Sequence, residues 1–265
     1  MIDRIGDRRV FPVGLGTYGM GGYQSKASGT DEKYISAIKY ALSKGINVID
    51  TAEMYASGHT EEIVGKAVSS VDRKDAFIIS KVWPTHLGRH DLQKSLENSL
   101  KRLNVDYLDL YLIHWPSTEV PLDESIGTLL ELKDEGKIRQ FGVSNFDENL
   151  LEDAIAFAGP GQISANEIEY NYGNRKEVSG LLESCKKHGI AVIAYTPLSR
   201  GAYARSRRIE EMAKKYGKSE LQMGLRLIME DAFPIPKASS PEHIDELVDT
   251  AGIDISREDL NYLRE

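Results

Sequence analysis

The chain has 265 residues, 41% hydrophobic and 28% charged, and its 33 basic and 41 acidic side chains leave a net charge of −8. At this length a compact fold buries roughly 70–75% of the surface its unfolded form exposes, so the core needs no disulfides or structural metal, and the lone Cys185 offers neither an internal bridge nor a Cys-based zinc site. No apolar run nears the ~20 residues of a bilayer span, the start MIDRIGDRRV has no signal-like apolar region and no basic cluster is present, so the expectation is a cytoplasmic protein with neither membrane nor nucleic acid as partner.

In chain order, residues 1–10 read as a polar hairpin turning near Gly6-Asp7. Eight short aliphatic or β-branched runs follow, at 11–17, 47–52, 76–82, 107–114, 140–145, 163–171, 191–198 and 233–237. Each gap leaves room for one helix and two short loops, and several gaps show helical spacing, as in Leu92, Leu96, Leu100 and Leu103, or Leu129, Leu130 and Leu132 before Gly136. Continuous apolar strands alternating eight times with crossover helices predict an α/β fold, a closed (β/α)8 TIM barrel with an N-terminal β-hairpin, as a single domain over 1–265.

Gly14-Leu15-Gly16-Thr17-Tyr18-Gly19 matches the dinucleotide pattern G-x-G-x-x-G. A Rossmann turn opens directly into a helix whose N-terminus holds the pyrophosphate, whereas here a loop runs to a helix starting near Asp31, and no acidic residue stands at the ribose position. The glycines read instead as a tight exit from the first strand.

Ligands meet a barrel at the C-terminal ends of its strands. Asp50 ends the second strand, Tyr55 follows in its loop, Lys81 ends the third and His114 the fourth. Alone, each has a plain structural reading: a helix cap, a packing aromatic, a satisfied buried histidine. Lys81, aimed into a barrel mouth, requires a carboxylate, and Asp50 on the adjacent strand can supply it. Together the four suit proton delivery to a substrate oxygen: Lys81 lowers the pKa of Tyr55, Asp50 holds Lys81, and neutral His114 orients a carbonyl. With no nucleophile or metal ligand set, such an acid calls for hydride from a cofactor.

The chain resembles the aldo-keto reductases over nearly its whole length, through Gly45-Ile46-Asn47-Val48-Ile49-Asp50-Thr51-Ala52 with Tyr55, Glu61 and Gly65, then Ser80-Lys81, Ile113-His114-Trp115-Pro116, Gly142-Val143-Ser144-Asn145-Phe146, Ala194-Tyr195-Thr196-Pro197-Leu198 and Ile235-Pro236-Lys237. The resemblance implies an NAD(P)H-dependent reductase of small-molecule aldehydes or ketones, with Asp50, Tyr55, Lys81 and His114 as the catalytic tetrad. It implies that Ser144 and Asn145 bind the nicotinamide carboxamide beside Asp50, that Tyr195 stacks on the ring, and that Asn166 stands where the family usually has glutamine. Thr196, Pro197, Leu198, Ser199, Arg200 and Gly201 match the pyrophosphate contacts, and Gly16, Thr17 and Tyr18 the edge beside the cofactor.

The segment Lys237, Ala238, Ser239, Ser240, Pro241, Glu242, His243 reads as a helix start able to hold an anion, with Lys237 adding a full charge. The family commonly has serine at Ala238 and arginine at His243, and losing an always-charged fork narrows the case for a 2′-phosphate. NADP(H) is still preferred on the charge of Lys237, with NAD(H) possible. Trp83 and Trp115, like Tyr55 and His114, match positions that wall the substrate pocket, which short neighbouring segments should leave open. Two other readings stand beside this one: a class I aldolase using Lys81 as a Schiff base, and a nucleotide-sensing subunit with slow turnover. No oligomeric state is assigned.

Overall fold

Every residue of the strands at Phe77–Val82 and Leu108–Ile113 is buried, as strands covered on both faces must be. The computed structural model describes residues 1–27, 29–199, 201 and 206–264. An antiparallel hairpin of β1 (Arg4–Ile5) and β2 (Arg8–Arg9) precedes eight parallel strands: β3 (Leu15–Gly16), β4 (Val48–Asp50), β5 (Phe77–Val82), β6 (Leu108–Ile113), β7 (Ile138–Ser144), β8 (Ile163–Glu169), β9 (Ala191–Tyr195) and β10 (Phe233–Pro234). They pair in chain order, and bonds from Gly14 N–H to Pro234 O (2.9 Å) and Gly16 N–H to Pro236 O (3.0 Å) join the last to the first and close the barrel. The expected (β/α)8 barrel and its hairpin are both present.

The helices are α1 (Asp31–Ser43), α2 (His59–Val68), α3 (Arg89–Leu103), α4 (Leu122–Asp134), α5 (Glu148–Ala158), α6 (Ser179–Lys187), α7 (Arg207–Tyr216), α8 (Glu220–Ile228), α9 (Pro241–Ala251) and α10 (Arg257–Arg264). The leucine stripe of α3 forms its buried face, with Leu92, Leu96 and Leu103 fully enclosed. Between β9 and β10 the sequence predicts one helix, and the structure has two. Gly217, at φ 62°, ends α7, and Ser219 opens α8 through a reciprocal capping box with Gln222.

Alternation along the strands sorts side chains between two cores. Val48, Phe77, Ile79, Leu112, Ala165 and Ile193 fill the barrel interior, plugged at its base by Ile5 and Val10 of the hairpin segment. Ile49, Ile78, Val82, Ile113 and Ile168 face the helices. Continuing each inward series by two residues puts Asp50 on β4, Lys81 on β5 and Glu167 on β8 at the top of the interior.

Two glycines give opposite expectations. A Cβ on Gly142 would lie 2.3 Å from the carbonyl oxygen of Ala165, where the β7–β8 register shifts, so Gly142→Ala should cost about 1–3 kcal/mol by overpacking. Gly127, inside α4, has nothing within 4 Å of such an atom, and Gly127→Ala should stabilise by about 0.5–1 kcal/mol. Urea midpoints of the two variants check both signs.

Candidate active site

A fully buried ammonium organises the barrel mouth. Lys81 Nζ lies 2.5 Å from Asp50 Oδ2, donates to the carbonyl of Thr51 at 3.1 Å and lies 3.4 Å from Glu167 Oε1. Burial pulls the lysine down, but the Asp50 and Glu167 carboxyls outweigh it and leave its pKa raised, so the side chain is charged. Glu167 is absent from the sequence reading. Its signal was the period of two in Ile163-Ser164-Ala165-Asn166-Glu167, which sends Ala165 and Glu167 to one face.

The same period corrects the placement of Asn166. The expected amide partner of a nicotinamide lies on the outer face of β8, where its Nδ2 donates to the Phe146 carbonyl at 3.0 Å, and the structure does not bring it to the other predicted residues.

Tyr55 begins a 3-10 turn over residues 55–58 that leads into α2. Ala56 and Ser57 adopt φ of 50° and 55°, left-handed values rare for residues with a Cβ. Ala56 N–H donates to Tyr23 O and Ser57 Oγ to Gln24 O, both at 2.7 Å, so the turn is pinned to the loop after β3. The tyrosine ring sits with Lys81 Nζ 5.3 Å from its centroid. Burial pushes its pKa up, and Lys81 draws it down only part of the way. The expected lowering by Lys81 is therefore present, but in this closed setting desolvation exceeds it.

His114 meets Tyr55 edge-on, with ring centroids 5.8 Å apart, and Trp83 stands 5.3 Å away on another side. Burial, then the Lys81 charge, pushes the imidazole down to about 3, so it is neutral, and its Nδ1 is buried without a protein partner. Tyr18 extends the aromatic row to Tyr23, and both are exposed, as is Trp115. Beside Trp83 opens a cavity of 660 Å³ that Met54, Glu53 and Gln24 help to wall.

The other predicted residues stand at the C-terminal ends of β3 and of β7 to β10 and in the loops that follow. Ser144 Oγ and Asn145 N–H both donate to Glu167 O at 2.9 Å, and Asn145 Nδ2 reaches His114 O at 3.0 Å. Tyr195 OH donates to Asn145 Oδ1 at 2.8 Å. Thr17 Oγ1 donates to Asp50 O at 2.7 Å, and a Cβ on Gly16 would lie 2.6 Å from Ile235 O, so only glycine fits there. Thr196 and Ser199 are left-handed, Pro197 is buried, and Leu198 O accepts from Gly201 N–H at 2.7 Å. Arg200 lies outside the described residues. Among the described residues Ser199 Oγ is buried with no partner, a donor able to meet a ligand oxygen.

At the far end Ser240 caps α9 by accepting from His243 N–H at 3.4 Å, with Ala238 buried and Ser239 half-buried before it. Lys237 has no carboxylate partner among the described residues, and its Nζ lies 5.6 Å from the Tyr34 ring. Lys33 reaches that ring at 6.0 Å, and burial together with the Lys33 charge lowers the pKa of Lys237. Two lysines sharing one ring without an acid between them form a place for an anion. Lys33, on α1, is some two hundred residues from Lys237 in sequence and gave no signal there.

The chain is similar to known proteins along nearly its whole length. A sequence model of the Aldo/keto reductase family matches residues 12–265. Methylglyoxal reductase YeaE of Escherichia coli (strain K12) is 33% identical over 270 residues, spanning 99% of this chain and 93% of that protein. A solved thermostable aldo-keto reductase, in complex with the inhibitor epalrestat, superimposes with a TM-score of 0.94 at 43% identity, covering 100% of this chain and 99% of its own. An aldo/keto reductase from Klebsiella pneumoniae, in complex with NADP and acetate, does so with a TM-score of 0.89 at 35% identity, covering 98% and 93%. The chain belongs to the aldo/keto reductase family, a class of oxidoreductases acting on carbonyl groups.

Behind Lys81, Ser80 faces outward and donates to Glu61 Oε1 of α2 at 2.6 Å, and Arg102 Nε of α3 holds Glu61 Oε2 at 2.6 Å. This clasp ties both helices to β5. Burial raises the Glu61 pKa against the pull of Arg102. Arg102→Met leaves that buried carboxylate unpaired and should cost about 3–5 kcal/mol. In the variant Glu61 takes up a proton more readily when folded than unfolded, so stability should fall as pH rises. Urea midpoints should therefore separate wild type and variant more at pH 8 than at pH 5.

Proposed function

We propose that the chain reduces a small aldehyde or ketone with NADP(H), and that Tyr55 gives the proton to the substrate oxygen. The single observation that carries this reading is the stack of a buried ammonium, a tyrosine and a neutral imidazole at one barrel mouth. The residues fit the cofactor: among the described residues Ser199 Oγ is a buried donor with no partner, and Lys237 with Lys33 have no acid partner beside the start of α9. The relatives' names support the substrate and cofactor class, one being a methylglyoxal reductase and one a reductase in complex with NADP.

When bound, the nicotinamide supplies hydride to the carbonyl carbon. Tyr55 donates its proton as negative charge grows on the oxygen, and the Lys81 ammonium stabilises the phenolate left behind. Asp50 keeps Lys81 in place, and neutral His114 donates a hydrogen bond that orients the carbonyl. Trp83 flanks His114 and Tyr18 flanks Tyr55 on the way to the reacting atoms. The aldolase reading is disfavoured, because a Schiff base needs a free amine and the two carboxyls keep Lys81 charged.

Tyr55→Phe should lower kcat at least about 100-fold while leaving the Kd for NADPH nearly unchanged. Stopped-flow turnover of an aromatic aldehyde and quenching of protein fluorescence by NADPH measure the two. Near-normal turnover would remove Tyr55 from the mechanism. Lys33→Met and Lys237→Met should each weaken NADPH by roughly tenfold, the range of one charge-assisted contact, and barely affect NADH. Equal losses for both cofactors would place the 2′-phosphate elsewhere.

A further inference from the structure

We propose that Glu167 holds a proton in place of a charge and thereby sets how strongly Lys81 acts on Tyr55, which makes it a positioning residue; the second half rests on the reading of Tyr55 as proton donor. Three ionisable groups meet at the top of the interior: Lys81 Nζ is 2.5 Å from Asp50 and 3.4 Å from Glu167, and all three are buried. If both acids ionised, two anions would face one cation in a site sealed from water, which is strongly disfavoured. A single retained proton makes the trio neutral.

Geometry decides where that proton rests. Asp50 makes the short contact with the ammonium, which also donates to the Thr51 carbonyl, so Asp50 keeps the charge. Glu167 lies farther from Nζ, and its Oε2 is buried with no partner, an unfavourable state for a full carboxylate. Burial first, and then the Asp50 charge, push Glu167 well above the carboxylate range. Burial also raises Asp50, and Lys81 draws it back only part of the way. The other titratable groups facing Glu167 are Tyr55 and, from β9, Tyr195, which burial pushes up to about 12. The adjoining β7 presents uncharged Ser144.

While Glu167 is neutral, Lys81 faces one anion and its field acts on Tyr55. Once Glu167 ionises at alkaline pH, a second anion offsets Lys81 and repels a phenolate, so Tyr55 keeps its proton to higher pH. Glutamine has nearly the same shape and cannot ionise. In Glu167→Gln, the alkaline decline of reduction and the alkaline rise of alcohol oxidation should both move to lower pH, by roughly one unit or more.

The apoprotein gives an independent reading. A carboxyl whose pKa is raised by folding contributes stability at low pH that is lost as pH rises toward its folded value. The Tm of Glu167→Gln minus that of wild type should therefore increase from pH 5 to pH 9. Glu167→Met should show the same slope even if its Tm is lower throughout. A difference independent of pH in both variants overturns the proton on Glu167. A rising difference with pH limbs that stay in place overturns its control of Tyr55. Failure of the functional reading looks different, because Tyr55→Phe would then keep its turnover while the Tm slopes still decide the protonation of Glu167.

Discussion

Lys81 carries a full charge where no water reaches it, and the stability of that arrangement constrains the rest of the site. An ammonium taken out of water costs several kcal/mol unless partners with good geometry replace its hydration. Here the partners come from the sheet itself, Asp50 from the adjacent strand and Glu167 from across the barrel. Slipping either strand by one residue would turn its acid toward the helices and leave the charge bare. The register of β4, β5 and β8 is thus specified by electrostatics as well as by the alternation of apolar side chains.

Loops add to this frame under strain that the barrel can hold. Among the described residues, six non-glycine positions have positive φ, and Asn104, at the end of α3, is the one placed away from the mouth. The others are Ala56, Ser57, Asn145, Thr196 and Ser199, all in loops after barrel strands. Such conformations cost of order 1–3 kcal/mol each and persist where surrounding contacts over-determine them. At Tyr55 the contacts are two bonds to the loop after β3, and at Asn145 they are bonds to β8, to the end of β6 and to Tyr195. Side chains from separate strands are held in one arrangement before any ligand arrives.

Much of this was legible in the sequence, and the remainder has physical reasons. The eight apolar runs, the hairpin turn and the leucine stripes carry periodic signals, and Asp50, Lys81 and His114 stand out because polar residues at strand ends interrupt an apolar pattern. The extra helix between β9 and β10 depended on a Gly and a Ser cap too close together to separate by spacing alone. Asn166 and Glu167 are neighbours of opposite orientation, and only the facing of β8, which the tertiary fold determines, says which of them enters the interior. Lys33 shares a ring with a lysine some two hundred residues away, a contact that the closure of the barrel creates.

The interior of the barrel mouth and its rim solve opposite electrostatic problems. Inside, where water is excluded, charge is kept low: one cation, one anion, a carboxyl and an imidazole held neutral, and a tyrosine that burial keeps protonated. A developing oxyanion there meets donors that need no reorganisation, which is where preorganised charge acts most strongly. At the rim the solution is the reverse. Lys33 and Lys237 stand without an acid partner among the described residues, in a chain whose net charge is −8, so an anion approaching this face is attracted locally although the molecule as a whole repels it. Binding strength can then be tuned at the solvated end, by exposed cations, without disturbing the proton balance on which the buried end depends.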